Sequence, residues 1–219
     1  MKLISVTLAR TVLQFELNQV TQGRDLWPVC QELIERYHFA GAPKNVLDLD
    51  DQKALSFKQG SFVNRKNVGV SISMSIFSNG LVVDAFSSTD DTDEFLEEIL
   101  HWVENDFGLV VPAGAGRAYV SQLDVESDFS FVKFHPQVAE LVESLRYMVS
   151  TVDGKERAFD FGILQFWTED VNPATSPAIF RFERKIGLPF SSNRYFSQAA
   201  LTTSNHIEFL EAFEALGKG

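Results

Sequence analysis

The chain has 219 residues, enough for one large domain or two small ones with a real core. Hydrophobic residues make up 45% and charged residues 22%, which excludes a largely disordered chain; the single Cys excludes an intramolecular disulfide and suits a reducing compartment. With 30 acids against 19 bases the net charge is −11, which argues against direct nucleic-acid binding, because a phosphate backbone is held by clustered Lys and Arg.

The first ten residues do not read as a secretory leader. Ser5 and Thr7 dilute the apolar run and Arg10 ends it. No stretch approaches the ~20 apolar residues of a spanning helix, so the expectation is a cytoplasmic protein, or one in a host cytoplasm if virus-encoded, with no membrane partner. Leu13, Phe15 and Leu17 alternate and predict a strand over 12–18. Asp25 is a candidate N-cap, and Pro28 suits a first helical turn. Cys30, Leu33, Ile34 and Tyr37 then recur at helical spacing, predicting a helix over 26–39. Gly41 and Pro43 stop it, and residues 45–49 leave room for a further strand. A strand is expected at 54–63, and 68–77 alternates cleanly, with Val68, Val70, Ile72, Met74 and Ile76 on one face. Asn79-Gly80 predicts a two-residue turn, with a return strand from Leu81 to Ser87. That turn would set Phe77 opposite Val82, Ser75 opposite Asp84 and Ser73 opposite Phe86. Ser88 to Thr92 offers several N-caps for a helix at 92–106 that buries Phe95, Leu96, Ile99, Leu100 and Val103.

Residues 107–117, rich in Gly with one Pro, form the best internal boundary. After it the order repeats: a strand at 118–126, a helix at 136–149, strands at 158–168, 177–186 and 194–203, and a helix at 205–216. The two halves also align residue by residue. Glu32-Leu33-Ile34-Glu35 falls on Glu140-Leu141-Val142-Glu143, which sets Cys30 on Val138. Ser78-Asn79 falls on Ser192-Asn193, Ala85 on Ala199, Thr89 on Thr203, and Glu94-Phe95-Leu96-Glu97 on Glu208-Phe209-Leu210-Glu211. The expectation is an α+β protein made of two β-α-β-β-β-α repeats, 1–110 and 111–219, forming one pseudo-symmetric structure. Antiparallel sheet or sheets would be covered by helices on one face. This order resembles the topology of the TATA-binding-protein-like saddle and of bacterial secretion chaperones. The resemblance shares no motif, so it implies an arrangement of elements and no activity.

Two surfaces stand out. One is the outer face of the first hairpin, where Phe77, Val82 and Phe86 lie among Ser73, Ser75 and Asp84, a mixture that suits a protein contact unless another part of the chain covers it. The other is the stretch 88–106, which holds Asp90, Asp91, Asp93, Glu94, Glu97, Glu98, Glu104 and Asp106 and no Lys or Arg. It reads as a solvated helix face, or as a docking surface for a basic partner. A third pattern, Asp170 with Glu183-x-Lys185, resembles the D…E-x-K arrangement of metal-dependent nucleases, where two carboxylates hold the ion and the Lys meets developing charge. Arg181, Glu183 and Lys185 alternate on one strand face, with Phe180, Phe182 and Ile186 on the other, so a solvated face accounts for them as well. Asp48, Asp50 and Asp51 lack the Gly and distal Glu of a calcium loop. His38, His101, His135 and His206 fall in no ligand spacing, and Cys30 lies on an apolar helix face. No metal or cofactor is expected.

Taken together, the sequence predicts a non-enzymatic protein-binding protein: an inhibitor, an immunity or chaperone-like factor, or an assembly subunit. The binding candidates are Ser73, Ser75, Phe77, Val82, Asp84, Phe86, Asp93, Glu94, Glu97 and Glu98, and the partner is another protein or a second copy. A self-assembling structural protein and a metal-dependent hydrolase using Asp170, Glu183 and Lys185 are the alternatives.

Overall fold

The computed structural model describes residues 1–44, 54–134, 136–169 and 177–217. Asp48, Asp50, Asp51, His135 and Asp170, and the strand expected at 45–49, lie outside them. In chain order the elements are β1 (Lys2–Gln14), α1 (Leu17–Thr21), α2 (Trp27–Tyr37), β2 (Leu55–Val63), β3 (Gly69–Phe77), β4 (Gly80–Ala85) and α3 (Thr89–Phe107). They continue with β5 (Gly116–Glu126), α4 (Pro136–Asp153), β6 (Ile163–Phe166), β7 (Phe180–Arg184), β8 (Arg194–Ala199) and α5 (Thr203–Leu216). The fold is α+β, with antiparallel strand pairs. Two compact units divide it: Val6–Ser121 with Ala200–Thr203, and Met1–Ser5 with Gln122–Ala199 and Ser204–Gly219.

In the first unit the strands lie side by side as β2-β3-β4-β1. Their alternation puts Leu13, Phe57, Ile72, Met74, Ile76, Leu81 and Val83 on one buried face. Helices α2 and α3 cover that face with Val29, Cys30, Leu33 and Tyr37 from one and Phe95, Leu96, Ile99 and Trp102 from the other. Aromatic edges interlock: the Tyr37 and Phe95 rings are 4.8 Å apart, and Phe62 and Phe95 5.3 Å, both in edge-to-face geometry. Helix α3 is well terminated. Ser88 accepts a hydrogen bond from the Asp91 amide at 3.2 Å, and Gly108 closes the other end in the left-handed region. Asp25 does not cap α2 from the N-cap position, which Leu26 occupies; its carboxylate accepts from the amide of Trp27, two residues on, at 2.9 Å.

Two sequence expectations are corrected here. The first strand runs from Lys2 to Gln14, not over 12–18; the chain turns at Phe15 and forms the short helix α1. The hairpin register is also displaced. Its tip is Ser78-Asn79, so Phe77 faces Gly80, Ser75 faces Val82 and Ser73 faces Asp84. The cause lies outside the hairpin. Leu17 and Phe15 donate their amides to the carbonyls of Ser78 and Asn79 at 2.8 and 3.2 Å, which fixes those two residues at the tip. Gly80 then lies so close to β1 that an added Cβ would sit 2.1 Å from the Leu13 carbonyl oxygen, at a φ of +146°. A displacement of two leaves the faces unchanged, because side chains alternate with period two.

In the second unit β8 lies between β5 and β7, and β6 is the outermost strand. The strands expected at 158–168, 177–186 and 194–203 are shorter, and Ile186 lies beyond β7, fully exposed, instead of facing inward. Phe131 sits at the centre of an aromatic cluster, with Phe182, Tyr195 and Phe213 rings 4.9, 5.1 and 5.0 Å away. Beside it Arg184 is buried. Its guanidinium donates to the Asp160 carboxylate at 2.6 Å, to the Tyr195 hydroxyl at 2.7 Å and to the carbonyls of Phe190 and Phe161 at 3.0 and 3.3 Å. The other Asp160 oxygen accepts from Ser130 at 2.8 Å and from the Phe161 amide at 2.7 Å. Both charges are therefore satisfied on several sides, the condition under which a buried ion pair is tolerated. Arg184→Ala leaves the Asp160 carboxylate buried without its cation, and is expected to cost about 3–5 kcal/mol in urea unfolding. Arg184→Met with Asp160→Leu is expected to recover most of that loss.

Candidate functional site

The helices cover one face of the first unit's sheet. On the other face a row crosses three strands: Ser73 of β3 lies opposite Asp84 of β4, which lies opposite Arg10 of β1. Arg10 grips Asp84 through two hydrogen bonds of 2.6 and 2.8 Å, and the bond to Asp84 raises the pKa of the Arg10 guanidinium further. The next row holds Ser75, Val82 and Val12. Ser73, Ser75, Phe77, Val82 and Asp84 are half-buried on this face, and Phe86, just beyond β4, is 73% exposed. Ser73 accepts from the Gln59 amide at 3.2 Å, where β2 bulges. The surface is thus a polar lattice of small hydroxyls with one internally paired charge and an aromatic rim.

Helix α3 lies on the opposite side of that sheet, so its acids do not join the hairpin residues in one site. Several of them are engaged within the unit. Asp93 accepts from Thr11 at 3.1 Å and Tyr119 at 2.9 Å, and it faces the Arg117 guanidinium at 3.4 Å. Glu94 accepts from the Arg65 amide, and Glu97 pairs with the Arg65 guanidinium at 3.0 Å. Glu98 accepts from Tyr37 at 2.8 Å and lies 3.7 Å from Arg36. Asp91 accepts from Asn64 at 2.7 Å; burial raises its pKa, but the nearby Ser87, Asn64 and Ser88 side chains outweigh that and lower it. No Lys or Arg lies within the helix, and these cations arrive from elsewhere in the unit, which is why the sequence reads as an unpaired acidic run. Asp90, Glu104 and Asp106 are exposed.

Of the D…E-x-K pattern, the two described members each have a structural partner. Glu183 pairs with Arg181, and the Lys185 ammonium bonds the Asp124 carboxylate. Among the described residues no group of three or more His, Cys, Asp or Glu is placed to hold a metal ion. Cys30 is buried, and burial, with Asp25 nearby, pushes its thiol up to about 12. At the start of α3 and of α5, Thr89 and Thr203 exchange bonds: the Thr89 amide donates to Thr203 Oγ1 at 3.0 Å and the Thr203 amide to Thr89 Oγ1 at 2.9 Å. Each satisfies a helix-start donor that would otherwise be buried without an acceptor.

A Ser-His pair escaped sequence reading. Ser197 Oγ lies 2.8 Å from His206 Nε2 in the second unit, and it donates to the Arg181 carbonyl at 3.1 Å. Both residues are fully buried, so no substrate reaches the hydroxyl, and burial holds the imidazole down at about 4. The pair is a packing feature. Also missed was the exposure of α4. The residue aligned with buried Cys30 is Val138, which lies in solvent.

No protein-family model matches the sequence, and a search of curated proteins finds no similar one. No helix among the described residues is long and apolar enough to cross a membrane.

The buried imidazole gives a pH signature. An unfolded chain takes up a proton on His206 near 6.5, the folded one only near 4. Between those values the unfolded state binds more protons, so stability falls as pH falls, by roughly 3 kcal/mol over the interval. Glu214 acts in a lower window. Burial pushes its pKa up, but bonds from the N-terminal ammonium, the Ser127 hydroxyl and the Asp128 amide outweigh that and hold it at about 2. Its contribution is lost as pH falls from its ordinary 4.5 toward 2. Unfolding free energies measured against pH are expected to lose the upper slope in His206→Gln and keep the lower one.

Proposed function

We propose that the protein is a non-enzymatic binding protein whose first unit captures a protein partner on the open face of its sheet. The observation that carries this reading is the run of apolar and aromatic side chains on the sheet face opposite α2 and α3: Phe86 is 73% exposed at one end of the hairpin, and half-buried Val82 and Phe77 follow toward its tip. Aromatic anchors ringed by small polar groups suit a contact surface, since they bury much area at low entropic cost and the hydroxyls adapt to the partner's polar groups. The Arg10–Asp84 pair neutralises itself, so the face selects by shape and apolar contact more than by charge. The acids of α3 serve chiefly to hold their own unit together. Those left exposed give a long-range field that favours a basic partner's approach and weakens with salt. We assign the protein to the cytoplasm; its one cysteine, buried and held as the thiol, agrees with a reducing compartment. We also read the chain as two copies of one β-α-β-β-β-α unit.

A photoreactive phenylalanine analogue placed at Phe77 or Val82 tests the face directly. Irradiation in cells is expected to yield one dominant adduct, lost on Phe86→Asp while the far-ultraviolet circular dichroism and urea midpoint stay unchanged. Adducts that persist in the Phe86→Asp variant would contradict the assignment.

A further inference from the structure

The helix side of the first unit holds a cavity of about 50 Å³. Its floor is the inner face of β3 and β4, its walls are α1, α2 and α3, and its roof is the connection that carries Leu109 and Val111. Among the described residues that line it only Thr21 is polar, and no polar atom faces the space. A water molecule needs about 10–15 Å³ and two to four polar partners. Here there is room enough and no partner, so water is a poor occupant and an apolar group a good one.

The roof is lightly held. Arg24 pins the carbonyls of Phe107 and Gly108 at 2.8 and 3.3 Å, and the Leu109 amide donates to the Val103 carbonyl at 3.2 Å. From Val110 to Ala115 the one hydrogen bond made among the described residues is a turn inside the segment, from the Ala115 amide to the Pro112 carbonyl at 3.0 Å. Leu109 is buried and Val111 half-buried, while Val110, Pro112, Ala113 and Gly114 are exposed. Recesses undercut the segment on two flanks, one beside Phe15 and Asn79, the other beside Leu100 and Glu104. It can therefore lift without breaking a backbone bond to the rest of the unit, as segments that admit ligands do. The rim on the Phe15 flank carries the amides of Gln14, Gln19 and Asn79 and the carboxylate of Glu16, with no Lys or Arg among the described residues. A hydroxyl finds donors and acceptors there; a ligand carboxylate meets Glu16 and a chain of net charge −11.

We propose that the cavity beneath Leu109–Ala115 binds the aliphatic tail of a small uncharged amphiphile, whose hydroxyl lies at the amide-lined rim. At about 50 Å³ the closed space is about a third of the ~150 Å³ that takes up benzene, so it holds the end of a tail, and the roof lifts to admit more. The site lies on the helix side of the sheet and is separate from the face that captures a protein partner.

Methyl-resolved NMR of the full chain, titrated with 1-hexanol, tests the proposal. The expected result is saturable shifts concentrated on Val20, Val103 and Val111, with affinity rising about fourfold per methylene from butanol to hexanol. Hexanoate is expected to bind more weakly. Val20→Leu, which extends a buried wall residue into the cavity, is expected to weaken hexanol about tenfold without lowering the urea midpoint. The titration of the wild-type chain does not depend on that variant folding. Shifts that stay linear with concentration, or that centre outside the cavity, would overturn the proposal, as would hexanol binding that a folded Val20→Leu leaves intact. Xenon that shifts the cavity methyls where hexanol does not would overturn it by showing a packing void under a fixed roof. Hexanoate binding as tight as that of hexanol would overturn the assignment of an uncharged ligand.

Discussion

A sheet has two faces, and in the first unit helices α2 and α3 cover one of them. That asymmetry is the constraint from which the rest follows. Burial of one face supplies the driving force: Leu13, Phe57, Ile72, Met74, Ile76, Leu81 and Val83 leave water together with the apolar faces of two helices. The strict alternation that this burial requires sends every second residue of β1, β3 and β4 outward. The outward set is then free to be chosen for something other than packing, and it carries serines, one closed ion pair and an aromatic rim. An antiparallel sheet tolerates such a wet face; a sheet buried on both sides would not.

Polar groups inside each unit are organised to make that burial tolerable. In the first unit Asp93 gathers Thr11, Tyr119 and Arg117 around one carboxylate. In the second, Arg184 and Asp160 are buried as charges, and each is held by the other and by further partners: the Tyr195 hydroxyl and the Phe161 and Phe190 carbonyls for Arg184, the Ser130 hydroxyl and the Phe161 amide for Asp160. Networks of this kind specify one arrangement among many apolar ones, because a displaced neighbour leaves a charge without its partners. They also explain why the acidity of the chain is a poor guide to its surface. Much of the α3 charge is already spoken for by Arg36, Arg65 and Arg117, each distant in sequence from the carboxylate it meets.

What was legible in the sequence was what local physics decides. Helical spacing located α2 and α3, alternation located β3 and assigned its faces, and the turn signal led to β4; for β2 the sequence predicted a strand but no face. The errors arise where distant residues decide. Asn79-Gly80 carries a strong turn signal, yet the amides of Phe15 and Leu17 hold Ser78-Asn79 at the tip, and no local rule contains that information. Arg184 alternates inward with Phe182, but its charge argues for solvent, and only the carboxylate of Asp160 and the ring of Tyr195 reverse that argument. Helix α4 has the same apolar periodicity as a buried helix; periodicity reports that a face must be covered, and does not report by what. The two surface candidates were likewise found separately in the sequence, but not the fact that they lie on opposite sides of one sheet.

The central claim is that the sheet face of the first unit opposite α2 and α3 binds another protein. The most direct measurement is the native mass of the protein isolated gently at low salt from its own source, beside the Phe86→Asp variant isolated in the same way. The account predicts a stoichiometric complex whose mass is not a multiple of the chain's own, and its loss in the variant. A wild-type protein that carries no partner, or a complex that the variant retains, would contradict it.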